Sequence, residues 1–260
     1  MTQDIPPHDT PQVALVTGAG RRIGRAIALG LAAAGWDVVV HYRHSEHEAD
    51  EVAAAIRALG RRAVTLRCDL ADEAAVRALP GRAAAALGRI TCIVNNASLF
   101  EYDNATSFSP ALLGAHMSAN LAAPLLLAQA LHAATPENEQ AVVVNLLDQK
   151  LYNLNPDFLS YTLSKAALAT ATTMLAQALA PKLRIVGVAP GITMVSGDQS
   201  EAGFAQAHTA TPLGRSSTPQ DIAGAVVYAA SARALTGTTL VVDGGQHLVP
   251  LARDVMFLTK

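Results

Sequence analysis

Three side chains within one short stretch of this sequence can together move a proton. Residues 145–165 read NLLDQKLYNLNPDFLSYTLSK, with a carboxylate at Asp148 and a Tyr-x-x-x-Lys pair at Tyr161 and Lys165. Four residues apart on a helix, Tyr161 and Lys165 share one face. An ammonium beside a phenol favours the phenolate, so this spacing predicts a tyrosine pKa drawn down toward the range useful for proton transfer. Asp148 ends an apolar run, AVVVNLL at 141–147. A carboxylic acid there either faces water or sits in a crevice where burial keeps it protonated and able to donate. A bare Tyr-x-x-x-Lys is as often an ordinary exposed helix pair, so the elements that carry these residues decide between the two.

Those elements alternate along the chain. Strands are expected at 13–18 (VALVTG), 37–41, 63–69, 90–96, 141–147, 183–190 and 239–245. Alanine-rich helices separate them, at 23–34, 49–60, 71–79, through 113–131, around Tyr161 and Lys165, and from about Pro219. Strands that are apolar on both faces are covered on both sides, as in a parallel sheet. Strand and helix alternating from end to end predict an α/β fold, a single Rossmann-type doubly wound domain over 12–260, preceded by a disordered arm at 1–11. The small, polar stretch 192–218 reads as a surface loop or a mobile segment that could close over the site.

Glycines at 18, 20 and 24 lie between the first strand and first helix. Such a turn lets the backbone approach a pyrophosphate at a helix N-terminus. An acidic residue at the end of the second strand would accept hydrogen bonds from a ribose 2′-hydroxyl. The chain has His41, Tyr42, Arg43, His44 and Ser45 instead, with Arg22 in the glycine turn. Cations and a hydroxyl without a competing carboxylate favour NADP(H) over NAD. Histidines 41, 44 and 47 do not have a spacing that converges on a metal, so surface or phosphate contacts are the better reading and no metal is expected.

Composition excludes several classes. With 19 basic against 21 acidic residues the net charge is −2, which gives no general attraction to nucleic acid or anionic membrane. The start, MTQDIPPHDTP, lacks the apolar run of a signal peptide. Contiguous apolar runs such as LAAPLLLA fall short of the roughly 20 residues that span a bilayer. Cys68 and Cys92 read as reduced core thiols of a cytoplasmic protein.

Thr17-Gly18 with Gly24, Asn95-Asn96-Ala97, Asn120, Tyr161-x-x-x-Lys165 and Pro190-Gly191 occur in order from Val13 to Gly245. Together they resemble the short-chain dehydrogenase/reductase family. That resemblance implies one nucleotide-binding domain with a seven-stranded parallel sheet, assembled as a homotetramer. Two departures narrow it. Arg22 stands where the family usually has a glycine, and Asp148 stands where it usually has a serine, thirteen residues before the tyrosine. Both are similar to the pteridine reductase branch, as is the second-strand end HYRHS with its Arg and His exchanged.

Residue by residue, the resemblance places Gly18, Arg22, Ile23, Gly24, His41, Tyr42, Arg43, His44 and Ser45 along the adenosine and phosphates of NADP(H). It adds Asp69, Leu70, Asn96, Ala97, Ser98, Tyr161, Lys165, Pro190, Gly191 and Ile192 as further cofactor contacts. Catalysis falls to Asp148, Tyr161, Lys165 and Asn120, the last helping to hold a proton-relay water. Ser98, Phe100, Asp148 and Tyr161 would meet a pterin-like substrate, with Phe100 either a stacking platform or core packing. The expected activity is NADPH-dependent reduction of a pterin or dihydropterin, with dihydrofolate included. A carbonyl reductase of the same family, and a non-catalytic NADPH sensor, are the alternatives.

Overall fold

Seven short runs of Val, Ile, Leu and Ala build the centre of the protein, a parallel sheet ordered β3-β2-β1-β4-β5-β6-β7. The strands are β1 (Val13–Val16), β2 (Asp37–Tyr42), β3 (Ala63–Arg67), β4 (Cys92–Asn95), β5 (Ala141–Leu146), β6 (Leu183–Pro190) and β7 (Thr239–Val242). This is a computed structural model, and it describes residues 12–195 and 200–257. The expected N-terminal arm at 1–11 lies outside them.

Because successive side chains point to opposite faces, each strand feeds two cores. Ala14, Val16, Val38, Val40, Val94 and Val144 pack against α1 (Arg22–Ala33), α2 (Glu46–Ala58) and α8 (Pro219–Ser231). Val13, Leu15, Val39, Ile93, Val143 and Ile185 face α3 (Glu73–Leu87), α5 (Ala123–Ala134) and α6 (Leu159–Ala178). Apolar-on-both-faces strands and right-handed crossovers leave the carboxyl ends of β1, β4, β5 and β6 along one edge, where open sheets take ligands.

The expected elements are present with ends shifted by a few residues, save that the helix expected at 71–79 runs on to Leu87 as α3, and two further stretches differ more. The helix expected through 113–131 is α4 (Pro110–Met117) and α5, joined by a π-helical turn, Ser118–Ala122, that contains buried Asn120. Taken with its polar interruptions, Pro110–Ala134 is long and apolar enough by length and composition to cross a membrane, with mean hydropathy 1.4. Its Leu127, Ala128 and Leu131 are buried in the core against the sheet, as in the core helix of a globular protein. The stretch 192–218 is not simply loop: Ser200 caps a helix, α7 (Glu201–Thr209), by accepting from the Gly203 amide. Residues 196–199 within it lie outside the described set.

Candidate active site

The β1–α1 turn is built so that backbone can replace side chains. Gly18 holds φ +62°, and a Cβ on Gly24 would lie 2.2 Å from the Gly18 carbonyl oxygen, so the third glycine is required for the helix to start so close. Arg22 occupies the family's glycine position and keeps a left-handed φ of 52°. An L-residue holds that conformation at about 1–2 kcal/mol. Asn96 ties this turn to the end of β4: its Nδ2 donates to the Thr17 carbonyl at 2.9 Å, and its amide donates to Thr17 Oγ1 at 3.0 Å.

A cavity of about 690 Å³ runs along the sheet edge from this turn. At one end stand Arg21, Arg22, Tyr42, Arg43, His44 and Ser45; in the middle Asn96, Ala97 and Ser98; at the other end Phe100, Asp148, Tyr161, Lys165, Pro190, Gly191 and Ile192. Guanidiniums and a helix N-terminus at the first end form a donor set suited to a dianionic phosphate.

Asp148 is placed by its own backbone context. One carboxylate oxygen accepts the Lys150 amide at 2.8 Å, capping the 3₁₀ turn Gln149–Tyr152, and the other accepts the Tyr161 hydroxyl at 2.8 Å. Tyr161 and Lys165 lie one turn apart on α6 and are buried, 7% and 3% exposed. The Lys165 ammonium donates to the Leu146 carbonyl at 2.7 Å and stands 5.8 Å from the centre of the Tyr161 ring. Burial pushes the Asp148 carboxyl above the usual carboxylate range, against the pull of the Lys150 amide, the Tyr161 hydrogen bond and Lys165. Burial draws Lys165 down to about 8, partly offset by Asp148.

The Tyr161 phenol is pushed well above its ordinary range, by burial first and then by the Asp148 charge. This reverses the expectation that Lys165 would draw it down. The ammonium is engaged by a backbone carbonyl, and its charge is itself disfavoured by burial, so desolvation of the phenolate wins. Tyr161 is therefore a protonated donor at neutral pH, hydrogen-bonded to a carboxyl that is itself biased toward its acid form.

Three comparisons with known proteins bear on this arrangement. Residues 18–247 match the family model described as enoyl-(acyl carrier protein) reductase. The chain belongs to the short-chain dehydrogenase/reductase family. Among solved structures, this reductase is similar to FolM alternative dihydrofolate reductase 1 from Brucella canis complexed with NADP. The two are 40% identical with a TM-score of 0.89, covering 94% of this chain and 96% of that one. Relatives include an uncharacterised oxidoreductase of Mycobacterium tuberculosis, 38% identical over 252 residues, covering 90% of this chain and 91% of its own. A 3-oxoacyl-[acyl-carrier-protein] reductase of Synechocystis is 32% identical over 241 residues, covering 91% and 97%.

Several residues of the reductase sit elsewhere than expected. His41 is 1% exposed and does not face the cavity: its Nδ1 accepts the Gly18 amide at 3.0 Å while Nε2 faces the Cys68 carbonyl at 3.1 Å. It shapes the glycine turn from behind. Asp69 and Leu70 fall outside the cavity wall, and Asp69 pairs with Arg43 at 3.1 Å. Carboxylates thus do stand near the adenosine end, since Glu48 also binds Arg21. Both pairs are solvent-exposed and screened by water, so a phosphate can displace them.

Asn120 lies outside the cavity wall too. Its Oδ1 accepts the Leu99 amide at 2.8 Å, while its Nδ2 donates to the Leu99 carbonyl and to Ser164 Oγ, both at 3.0 Å. Its side chain fixes the loop carrying Ser98 and Phe100 to α6, and its backbone lies in the π-helical turn Ser118–Ala122. The Phe100 ring is 41% exposed, stacked on Phe158 at 4.3 Å and edge-on to Tyr161 at 4.7 Å, so one of its faces is already taken.

The cavity also has walls that sequence reasoning missed. Gln149, Lys150, Thr193, Met194, Gln246 and the C-terminal residues Asp254, Val255 and Met256 line it. Lys150 lay two residues beyond Asp148, a signal that was available. The tail after Gly245 carries no periodic pattern that would have placed it.

His41 generates a test. Burial draws its pKa from 6.5 down to about 4. The unfolded chain then binds this proton first, so the contribution is full above pH 6.5 and is lost as pH falls toward 4. At about 1.4 kcal/mol per unit, roughly 2–3 kcal/mol should disappear between pH 7 and 4.5. Urea denaturation at the two pH values should show His41→Asn losing less stability than the parent by that amount. Equal losses would contradict a buried neutral imidazole.

Proposed function

We propose that this protein is an NADPH-dependent reductase of pterins or dihydropterins, with dihydrofolate a possible further substrate. The observation that carries it is the Tyr161 hydroxyl bonded at 2.8 Å to a carboxyl that burial biases toward its acid form. A ketone needs one neutral donor at oxygen, which a serine beside the tyrosine supplies at any ordinary pH. An acidic carboxyl in that place suits protonation of, or donation to, a ring nitrogen. The Brucella canis structure, named as an alternative dihydrofolate reductase and solved with NADP, supports the same reading.

The donor set at the adenosine end fits NADPH: Arg22, Arg43, His44 and Ser45 meet the 2′-phosphate, the glycine turn the pyrophosphate, and Lys165 the nicotinamide ribose. When bound, NADPH supplies the hydride. The protein's own residues do the rest. Tyr161 gives a proton at its Oη, Asp148 orients that hydroxyl and replenishes its proton, and Phe100 offers its free face to a planar ring. Phe158 and the Leu99 loop keep water from that side. The carbonyl-reductase alternative keeps one specific support, the likeness to the Synechocystis 3-oxoacyl reductase. We also read the chain as a cytoplasmic homotetramer. Buried free Cys68 and Cys92 fit a reducing compartment, and exposed Leu163 and Met174 on α6 suit an interface.

Cofactor choice is tested at Arg43. Arg43→Glu should weaken NADPH binding about 10- to 100-fold, the worth of one charge-assisted contact, and change NADH binding little. Equal dissociation constants for the two cofactors in the parent would refute the assignment.

Substrate class is tested at Asp148. Asp148→Asn and Asp148→Ser should keep NADPH affinity and thermal stability while kcat/KM for a dihydropterin drops about 10²- to 10⁴-fold. The serine variant should hold or gain activity on simple ketones. Variants indistinguishable from the parent on the dihydropterin would make Asp148 a bystander and favour the carbonyl reductase.

A further inference from the structure

The C-terminal tail does more than close the cavity. Arg253 grips the Asp157 carboxylate with two hydrogen bonds of 2.8 Å, and the Asp254 amide donates to the same carboxylate at 2.8 Å. Asp157 sits in the loop between Asp148 and Tyr161, so the tail is tied to the segment that carries the acid. Phe257 adds ring contacts with Phe158 and Tyr102 at 6.2 and 5.4 Å.

This fastening delivers one charged side chain to the cavity wall. The Asp254 carboxylate accepts from the Lys150 ammonium at 3.2 Å, with its side chain 17% exposed and that of Lys150 4%. Lys150 also donates to the Asp157 carbonyl. The backbone amide of that same lysine holds Asp148. Asp148 is thus faced by Tyr161 and Lys165 from α6, by the Lys150 amide from its own 3₁₀ turn, and by Asp254 from the tail.

We propose that Asp254 is a positioning residue for the reaction: by pairing with the Lys150 ammonium it fixes the turn whose Lys150 amide holds the Asp148 carboxyl against Tyr161, and it sets a second carboxylate on the same cavity wall. Without Asp254, the Lys150 ammonium would keep the Asp157 carbonyl but lose its carboxylate partner, and the turn that holds Asp148 would be less firmly fixed. The Asp254 charge also disfavours a second anion at Asp148. The inference rests on the proposed role of Asp148 but not on the identity of the substrate.

The test is a carboxyl-carbon NMR titration of the full chain labelled at aspartate, with the Asp148 signal assigned by its loss in Asp148→Asn. In Asp254→Asn the Asp148 midpoint should fall by about 1 pH unit, and Asp254→Glu should restore it. Arg253→Ala, which loosens the tail that carries Asp254, should move it in the same direction. The pH profile of kcat/KM for a dihydropterin should shift with the NMR midpoint. An unchanged midpoint in Asp254→Asn, or a fall that Asp254→Glu does not reverse, would overturn the proposal. Absence of dihydropterin turnover in the parent would instead overturn the proposed function, and the titration would still decide the role of Asp254.

Discussion

A carboxyl group taken out of water beside a buried phenol is the interaction around which this site is organised. An ionised Asp148 and an ionised Tyr161 cannot both persist in a low-dielectric crevice, since each raises the other's cost of charge. The pair resolves this with Tyr161 keeping its proton and donating a hydrogen bond to Asp148, whose carboxyl burial pushes upward. Lys165 does not force ionisation, because its ammonium is turned toward the Leu146 carbonyl at the end of β5. The chemistry available is therefore donation of protons rather than their removal.

Keeping that geometry requires α6 to be fixed against the sheet, and buried polar side chains do this. Asn95 at the end of β4 donates to Asn145 on β5 at 2.8 Å, and Asn145 donates to Thr172 on α6 at 2.9 Å. Asn120 joins the π-turn, the Leu99 loop and Ser164 of α6. At the start of α6, buried Asp103 accepts from the Ser160 amide at 2.9 Å, one residue before Tyr161. Breaking any of these would leave a buried donor or acceptor unsatisfied, at about 1–3 kcal/mol. The site is over-determined from three sides.

Much of this was legible in the sequence where local chemistry dictates structure. Parallel strands announced themselves as runs apolar on both faces, and the glycine spacing located the turn that Gly24 closes. Asp148, Tyr161 and Lys165 converge because a strand end and a helix face are local features. What escaped was non-local. The inward turn of His41 depends on a free Gly18 amide behind the strand, and the Asn120 side chain is consumed by a loop 21 residues away. The phenol's upward shift depends on burial that no spacing reveals. The tail reaches Lys150 across a sequence separation of 104, with no periodicity to announce it.

The account's central claim is that Tyr161, supported by Asp148, supplies the proton for reduction of a ring carbon–nitrogen bond. The most direct measurement is single-turnover oxidation of NADPH bound to the parent and to Tyr161→Phe, after rapid mixing with a dihydropterin. The parent should oxidise NADPH in one exponential whose rate falls as pH rises through the Asp148 midpoint. Tyr161→Phe should bind NADPH equally well and react at least about 100-fold more slowly. A phenylalanine variant that matches the parent rate would contradict the account, because the proton would then come from another group.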